Sequence, residues 1–324
     1  MKILFFQNKF FPKGKQGQKF DQDFSFHHER GVAIEGQDAF FASGINHGGE
    51  IHFVKIPDTN FTDLKDWVFK SFGDPEPVES DYQLGTFYKR IWRPMACGCR
   101  PWELNSQEKL NESFVSLHII LNKLENLFET IEPNKDNLST YGHKIREILL
   151  LACMEVESAW TAVLKENAYP LPKGDFTTND YVKLKEIMFL DVYELALQSY
   201  PDFPAFMPFK DWNVAKPTTS LSWYDAYNKT KHDREENLRF ATLENAVYAV
   251  GAAVVMFHAQ FGLNFGTGFM DQKSPIIRNI FKIVSINFEK YEKQFYISKL
   301  ELDTTSGKPT FSPIKGYTVI NYPF

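Results

Sequence analysis

A run of apolar residues in the second half of the chain limits its fold more than any other feature. From Ala246 to Phe257, twelve consecutive residues are apolar or glycine, and His258 ends the run. That is short of the roughly 18 residues a membrane-spanning helix needs, so the run reads as a helix buried on all sides. Thr242 is placed to cap its start and Gly262 to stop it. Ala246, Ala249, Ala252 and Ala253 keep it thin, so neighbouring helices can approach closely. Such a helix needs others around it, and the sequence supplies them. Ser106 can cap a helix carrying Leu110, Phe114, Leu117, Leu121, Leu124 and Phe128. From Ser139 or Thr140 to about Asn167, the apolar residues between Ile145 and Val163 keep to a stripe of about 120°. The pattern also predicts a shorter helix over Asp180 to Leu197, and Ser222 with Asp225 resembles a capping box opening another.

On either side of this helical region, residues 104–264, the period changes to two. Residues 1–103 read as β-rich, with a strand over Lys2–Gln7, a hairpin from Asp38–Ser43 to Glu50–Ile56, and a further strand over Thr86–Trp92. One helix interrupts them, capped by Thr62, with Leu64, Trp67, Val68 and Phe72 on one side and Gly73 at its end. Residues 265–324 return to strand signals at Phe281–Phe288 and Phe295–Leu302, with a turn at Thr304–Pro309, and are expected to pack on the N-terminal region. The expected fold is α+β, an all-helical central domain between two β-rich regions. At 324 residues the chain needs neither disulfide nor metal to build a core. A net charge of −5 excludes a chain that is basic overall, so any nucleic-acid contact must be a local patch. Three cysteines, a start unlike a signal peptide and no bilayer-length apolar run lead to the expectation of a soluble, cytoplasmic protein.

The densest chemistry lies in Ser222–Tyr248. Tyr227, Asn228, Lys231, His232 and Arg234 fall within eight residues. A helix through them places Asn228 on one face with Lys231 and His232. Imidazole and ammonium together can bind a phosphate and move a proton near neutral pH. The same residues also suit a solvated helix end before Glu235 and Glu236. Glu157, at the edge of the long helix's apolar stripe, can orient His232, pair with Lys231, or simply meet a surface cation.

The long helix HKIREILLLACMEVESAW, the stretch YNKTKHDR and the Ala-rich ATLENAVYAVGAA together resemble the HEPN superfamily over roughly residues 104–264. The resemblance implies a small helical bundle that binds nucleotides or RNA, as in prokaryotic toxins, phage-defence and stress-response proteins. In active members it implies a metal-independent endoribonuclease, in which the RNA 2′-hydroxyl attacks the adjacent phosphate at a site assembled across a homodimer. The family's ribonuclease motif is an Arg, usually with a polar residue next, and a His four to six positions after the Arg. Here Asn228 matches the polar residue and His232 the His, while Tyr227 stands in the Arg position. Lys231 or Arg234 would have to bring positive charge from a different backbone position. Three readings stay open: an RNA-cutting effector, a catalytically inactive module that binds RNA, a nucleotide or a protein partner, and an ordinary α+β protein whose likeness to the family is only helix packing. No cofactor is expected, and the homodimer is expected to form through the helical domain, with the Thr242–Phe261 and Ser139–Asn167 helices as its apolar surface.

A second patch, Lys89–Trp102, interleaves Arg90, Arg93 and Arg100 with Trp92 and Trp102. Such a mixture stacks bases and neutralises phosphates of single-stranded RNA. It equally describes Arg stems lying over buried aromatic rings. Metal binding is not expected: Cys97 and Cys99 lack a second pair, and Cys153 reads as core. His27, His28, His47 and His52 show no ligand spacing, and His143 with Glu147 is half a site at most. The basic segment Lys9–Lys19 lacks the Lys-Ser/Thr ending of a phosphate-binding loop.

Overall fold

The computed structural model describes residues 2–11, 19–20, 24–25, 28–45, 51–55, 60–80, 82–94, 106–171, 174–262, 273–287, 289–302, 309–311 and 317–324. The chain mixes helices with small antiparallel sheets, an α+β fold. It divides into two compact units, Met1–Phe87 with Arg93–Arg100 and Glu289–Ile320, and Tyr88–Trp92 with Pro101–Phe288 and Asn321–Phe324.

The first unit holds a five-stranded sheet. Its strands are β1 (Ile3–Gln7), β4 (Arg30–Glu35), β5 (Ala39–Gly44), β6 (Ile51–Lys55) and β7 (Val78–Glu79), in the order β6-β5-β4-β1-β7. Two short strands, β2 (Lys19–Phe20) and β3 (Phe24–Ser25), pair separately. Alternation along β1 sends Leu4 and Phe6 to one face, where Ala33, Phe40 and Ala42 join them against Leu64, Trp67, Val68 and Phe72 of helix α1 (Leu64–Phe72). The cap of α1 is Asp63 rather than Thr62: its carboxylate accepts from the Asp66 N–H at 2.8 Å, where the helix dipole favours a negative charge. Gly73 ends the helix at φ 76°, as only a residue tolerant of the left-handed region does cheaply. Strand β8 (Thr86–Tyr88) is shorter than expected, because Arg90 takes φ 53° and turns the chain.

The C-terminal region is split between the units rather than forming one segment. Residues 289–320, with β11 (Leu300–Leu302), β12 (Pro309–Phe311) and β13 (Thr318–Ile320), belong to the first unit. There β13 pairs with β8, and the Gly85 N–H donates to the Ile297 carbonyl at 2.7 Å. The Thr304–Pro309 turn falls mostly outside the described residues.

The second unit is built on helices α2 (Gln107–Phe128), α3 (His143–Glu166), α6 (Ser222–His232) and α8 (Leu243–Phe261). Helix α8 is its axis, and all its residues from Ala246 to Phe261 except Tyr248 are buried against α2, α3 and α6. Gly251 is the closest point: a Cβ there would lie 2.7 Å from the Phe206 ring. The expectation that α8 lines a dimer interface is corrected, because the chain's own helices cover every side of it. The predicted caps of α3 and α6 also fail. Gly142 and Leu221 precede these helices without side-chain caps, and Ser222 is already inside α6. Instead of one helix over Asp180–Leu197, the chain makes two single turns, α4 (Thr178–Tyr181) and α5 (Leu184–Ile187), and then strand β9 (Tyr193–Leu197). Phe189 at φ 56° ends the helical path, and β9 pairs with β10 (Phe281–Ile286), which follows α9 (Lys273–Ile280). A single turn, α7 (Arg234–Asn237), links α6 towards α8. No helix among the described residues is long and apolar enough to cross a membrane.

Candidate functional site

Helix α6 carries SWYDAYNKTKH, and its apolar stripe decides what the site becomes. Trp223, Tyr224, Ala226, Tyr227 and Thr230 recur at helical spacing and are buried. Asp225 in the first turn and Lys229, Lys231 and His232 in the last complement the helix dipole. Tyr227 therefore points into the unit and is 0 % exposed.

Its hydroxyl finds a carboxylate there. Tyr224 donates to Oε1 of Glu157 on α3, and Tyr227 donates to Oε2 at 3.0 Å. The Lys231 ammonium, one turn further along α6, donates to the Tyr227 hydroxyl at 2.9 Å and lies 5.0 Å from the centre of that ring. The result is a relay from Lys231 through Tyr227 to Glu157, with Tyr224 closing the other carboxylate oxygen. Burial first, and the Glu157 carboxylate with it, hold both phenols protonated far above their ordinary range. Cys153, one turn before Glu157, is fully buried, and burial followed by the Glu157 charge pushes its thiol up. It is core, not a nucleophile.

Arg146 on α3 donates from Nε at 3.1 Å and Nη2 at 2.8 Å to the Thr230 carbonyl, satisfying an acceptor that the helix end would leave open. Asn228 donates back to the Tyr224 carbonyl at 2.9 Å. Lys229 pairs with Asp225 at 2.6 Å. Lys231, His232 and Arg234 are exposed at the end of the helix and the start of α7, which Asp233 caps. Glu157 thus joins the α6 residues, but through Tyr224 and Tyr227 and not through His232 or directly to Lys231. Tyr224 is the member that sequence reasoning missed. Its spacing of three from Tyr227 was the available signal, since two phenols on one buried stripe need a shared acceptor.

The second predicted patch comes apart. Arg93 is 0 % exposed; its guanidinium donates to the Tyr82 hydroxyl and, at 3.1 Å, to the Gln294 carbonyl, and lies over the Tyr82 and Tyr296 rings. Arg90 donates to Gln260 at 2.9 Å and pairs with Glu166 at 3.2 Å, with 11 % of its side chain exposed. Trp92 is anchored by its backbone N–H, which donates to the Ala259 carbonyl at 2.8 Å, with its indole against Gly262. The expected RNA role of Arg93 is corrected, because it has no surface to present to a phosphate, while Arg90 is engaged by Gln260 and Glu166 and Trp92 is half-buried. Arg100, Cys97, Cys99, His27 and His47 lie outside the described residues. Glu147 pairs with Lys123 at 2.6 Å rather than acting with His143. Among the described residues no three His, Cys, Asp or Glu side chains gather as a metal site would require. No family model, curated protein or solved structure matches this chain.

Proposed function

We propose that the helical unit is a HEPN-like module that grips RNA through the exposed carboxyl end of α6, with its ribonuclease site degenerate. The carrying observation is Tyr227. The position that would present a guanidinium to the transition state holds a buried phenol turned towards Glu157. Losing such a charge-stabilising donor typically lowers a rate about 10²–10³-fold. Phosphate contact does not need that geometry. Lys231, His232 and Arg234 remain exposed, and Asn228 lies one turn behind His232. A homodimer belongs to the same proposal, supported by the exposed apolar side chains of Val115 and Ile119 on α2 and Met154 on α3.

One observation favours the second reading, a metal-independent endoribonuclease of phage defence or stress response. The His232 imidazole is exposed beside Lys231 and Arg234, where an acid–base group would meet a bound phosphate. One experiment separates the two. Purified protein is titrated into fluorescent single-stranded RNA at about 50 and 200 mM salt, and separately incubated with total RNA in EDTA. Salt-sensitive binding without new 2′,3′-cyclic phosphate ends supports the module. Cyclic ends that vanish with His232→Ala support the enzyme. Absence of both binding and cleavage refutes the RNA reading altogether.

A further inference from the structure

The junction of α9 and β10 borders a half-open cavity of about 520 Å³, within the range of small-ligand pockets. A β-bulge helps to shape it. In the β9–β10 pair, Phe281 faces Leu197, Ile283 faces Leu195 and Ile286 faces Tyr193, while the register shifts between Ile283 and Ser285. Tyr193, Leu195 and Leu197 form the inward face of β9. The extra residue resets the alternation, so that Ile286 rather than Ser285 returns to the side of Phe281 and Ile283. Ile283, Ile286 and Ile277 of α9 therefore give the cavity an apolar lining.

The charged side chains among the described lining residues have a single sign. Arg278 and Lys282 line the cavity and are solvent-exposed, and their side chains make no hydrogen bond or ion pair with any described residue. No acidic side chain is among the described lining residues. Two nearly buried polar side chains also line it, Ser274 at 3 % and His258 at 4 % exposure. His258 Nδ1 lies 3.0 Å from the Gly262 carbonyl, which can only accept, so this nitrogen carries the proton and the ring is held in place. Two cations without an ion-pair partner among the described residues, beside an apolar concavity, focus a positive potential into it.

We propose that this cavity binds a small organic anion, its phosphate or carboxylate head held by Arg278, with Lys282 adding positive charge from the other face of β10, and its compact apolar body on Ile277, Ile283 and Ile286. The site uses no residue of the α6 end, so it stands or falls independently of RNA binding. The test uses the full chain and 8-anilinonaphthalene-1-sulfonate, an anion with an apolar body whose fluorescence reports burial. Saturable binding at one site per chain is expected, with competition by a nucleoside monophosphate if the head is a phosphate, or by octanoate if it is a carboxylate. The double variant Arg278→Gln/Lys282→Gln should bind the dye about tenfold more weakly or worse, because the lost charge-assisted contact is worth more than a neutral one. Both residues are exposed, so its melting temperature should match the parent's, and Lys144→Gln on α3 should bind as the parent does. Undiminished dye affinity in the double variant, absence of saturable binding, or failure of both competitors to displace the dye would each overturn the proposal.

Discussion

Replacing Tyr227 by Phe removes one oxygen from the centre of the α3–α6 contact and leaves the ring in place. The ring is fully buried, and Phe fills the same space, so no cavity opens. What disappears is a donor to Glu157 at 3.0 Å and an acceptor for Lys231 at 2.9 Å. A hydrogen bond to a charged group contributes about 1.5–3 kcal/mol in a desolvated setting. Lys231 is exposed, so water replaces its lost acceptor and that bond counts for little. Glu157 keeps Tyr224 as a donor. The net cost is then one partly buried charge-assisted bond, about 1–2 kcal/mol. For a unit of this size that lowers the melting temperature by about 3–6 °C. Thermal unfolding followed by near-ultraviolet circular dichroism reports it, because Trp160, Trp212, Trp223 and Tyr224 form one aromatic cluster beside the substitution. RNA affinity should not fall, since Lys231 is released rather than lost. A melting temperature within about 1 °C of the parent would show that the relay contributes nothing to stability and refute the energetic reasoning.

Other perturbations test other parts of the account. Burial raises the Glu155 carboxyl, partly opposed by Arg90, so the folded state holds its proton more tightly than the unfolded chain. Stability linked to it falls as pH rises through the carboxylate range, and Glu155→Gln should stabilise the protein at pH 7, with the gain vanishing below about pH 4 in parallel melts. Burial likewise raises Tyr193, Tyr224 and Tyr227, so their contribution is complete below the unfolded phenol value near pH 10 and is lost above it. Absorbance at 295 nm should show these phenols ionising only as the helical signal collapses. Arg93→Ala deletes a buried guanidinium and its bond to Gln294, and should destabilise the first unit by about 2–4 kcal/mol in denaturant melts while leaving RNA affinity unchanged. A loss of RNA affinity without loss of stability would restore Arg93 to the surface role that its burial excludes.

What the sequence revealed followed from local period. The stripes of α1, α2, α3 and α8 read directly, as did the caps Ser106, Thr242 and Gly73, because each depends on residues within a turn or two. Strand β9 did not, since its partner β10 lies more than eighty residues away and the left-handed Phe189 breaks a helix that no glycine or proline marks. At the site, residue types were legible and directions were not. Asn228, Lys231 and His232 stood out by chemistry, and Glu157 by its place at the edge of a stripe. Whether Tyr227 faces phosphate or protein depended on which side of α6 meets α3. Arg90 and Arg93 show the same limit: a basic, aromatic segment describes both an RNA strip and a packed turn until burial distinguishes them.

The claim that the carboxyl end of α6 contacts RNA is tested most directly by photo-crosslinking. Full-length protein is mixed with single-stranded RNA bearing 4-thiouridine, irradiated, digested and analysed by mass spectrometry. The account predicts adducts concentrated in the peptide spanning Ser222 to Arg239, reduced when Lys231 and Arg234 are both changed to Ala. Adducts confined to other segments, or none under conditions where RNA binds, would contradict it.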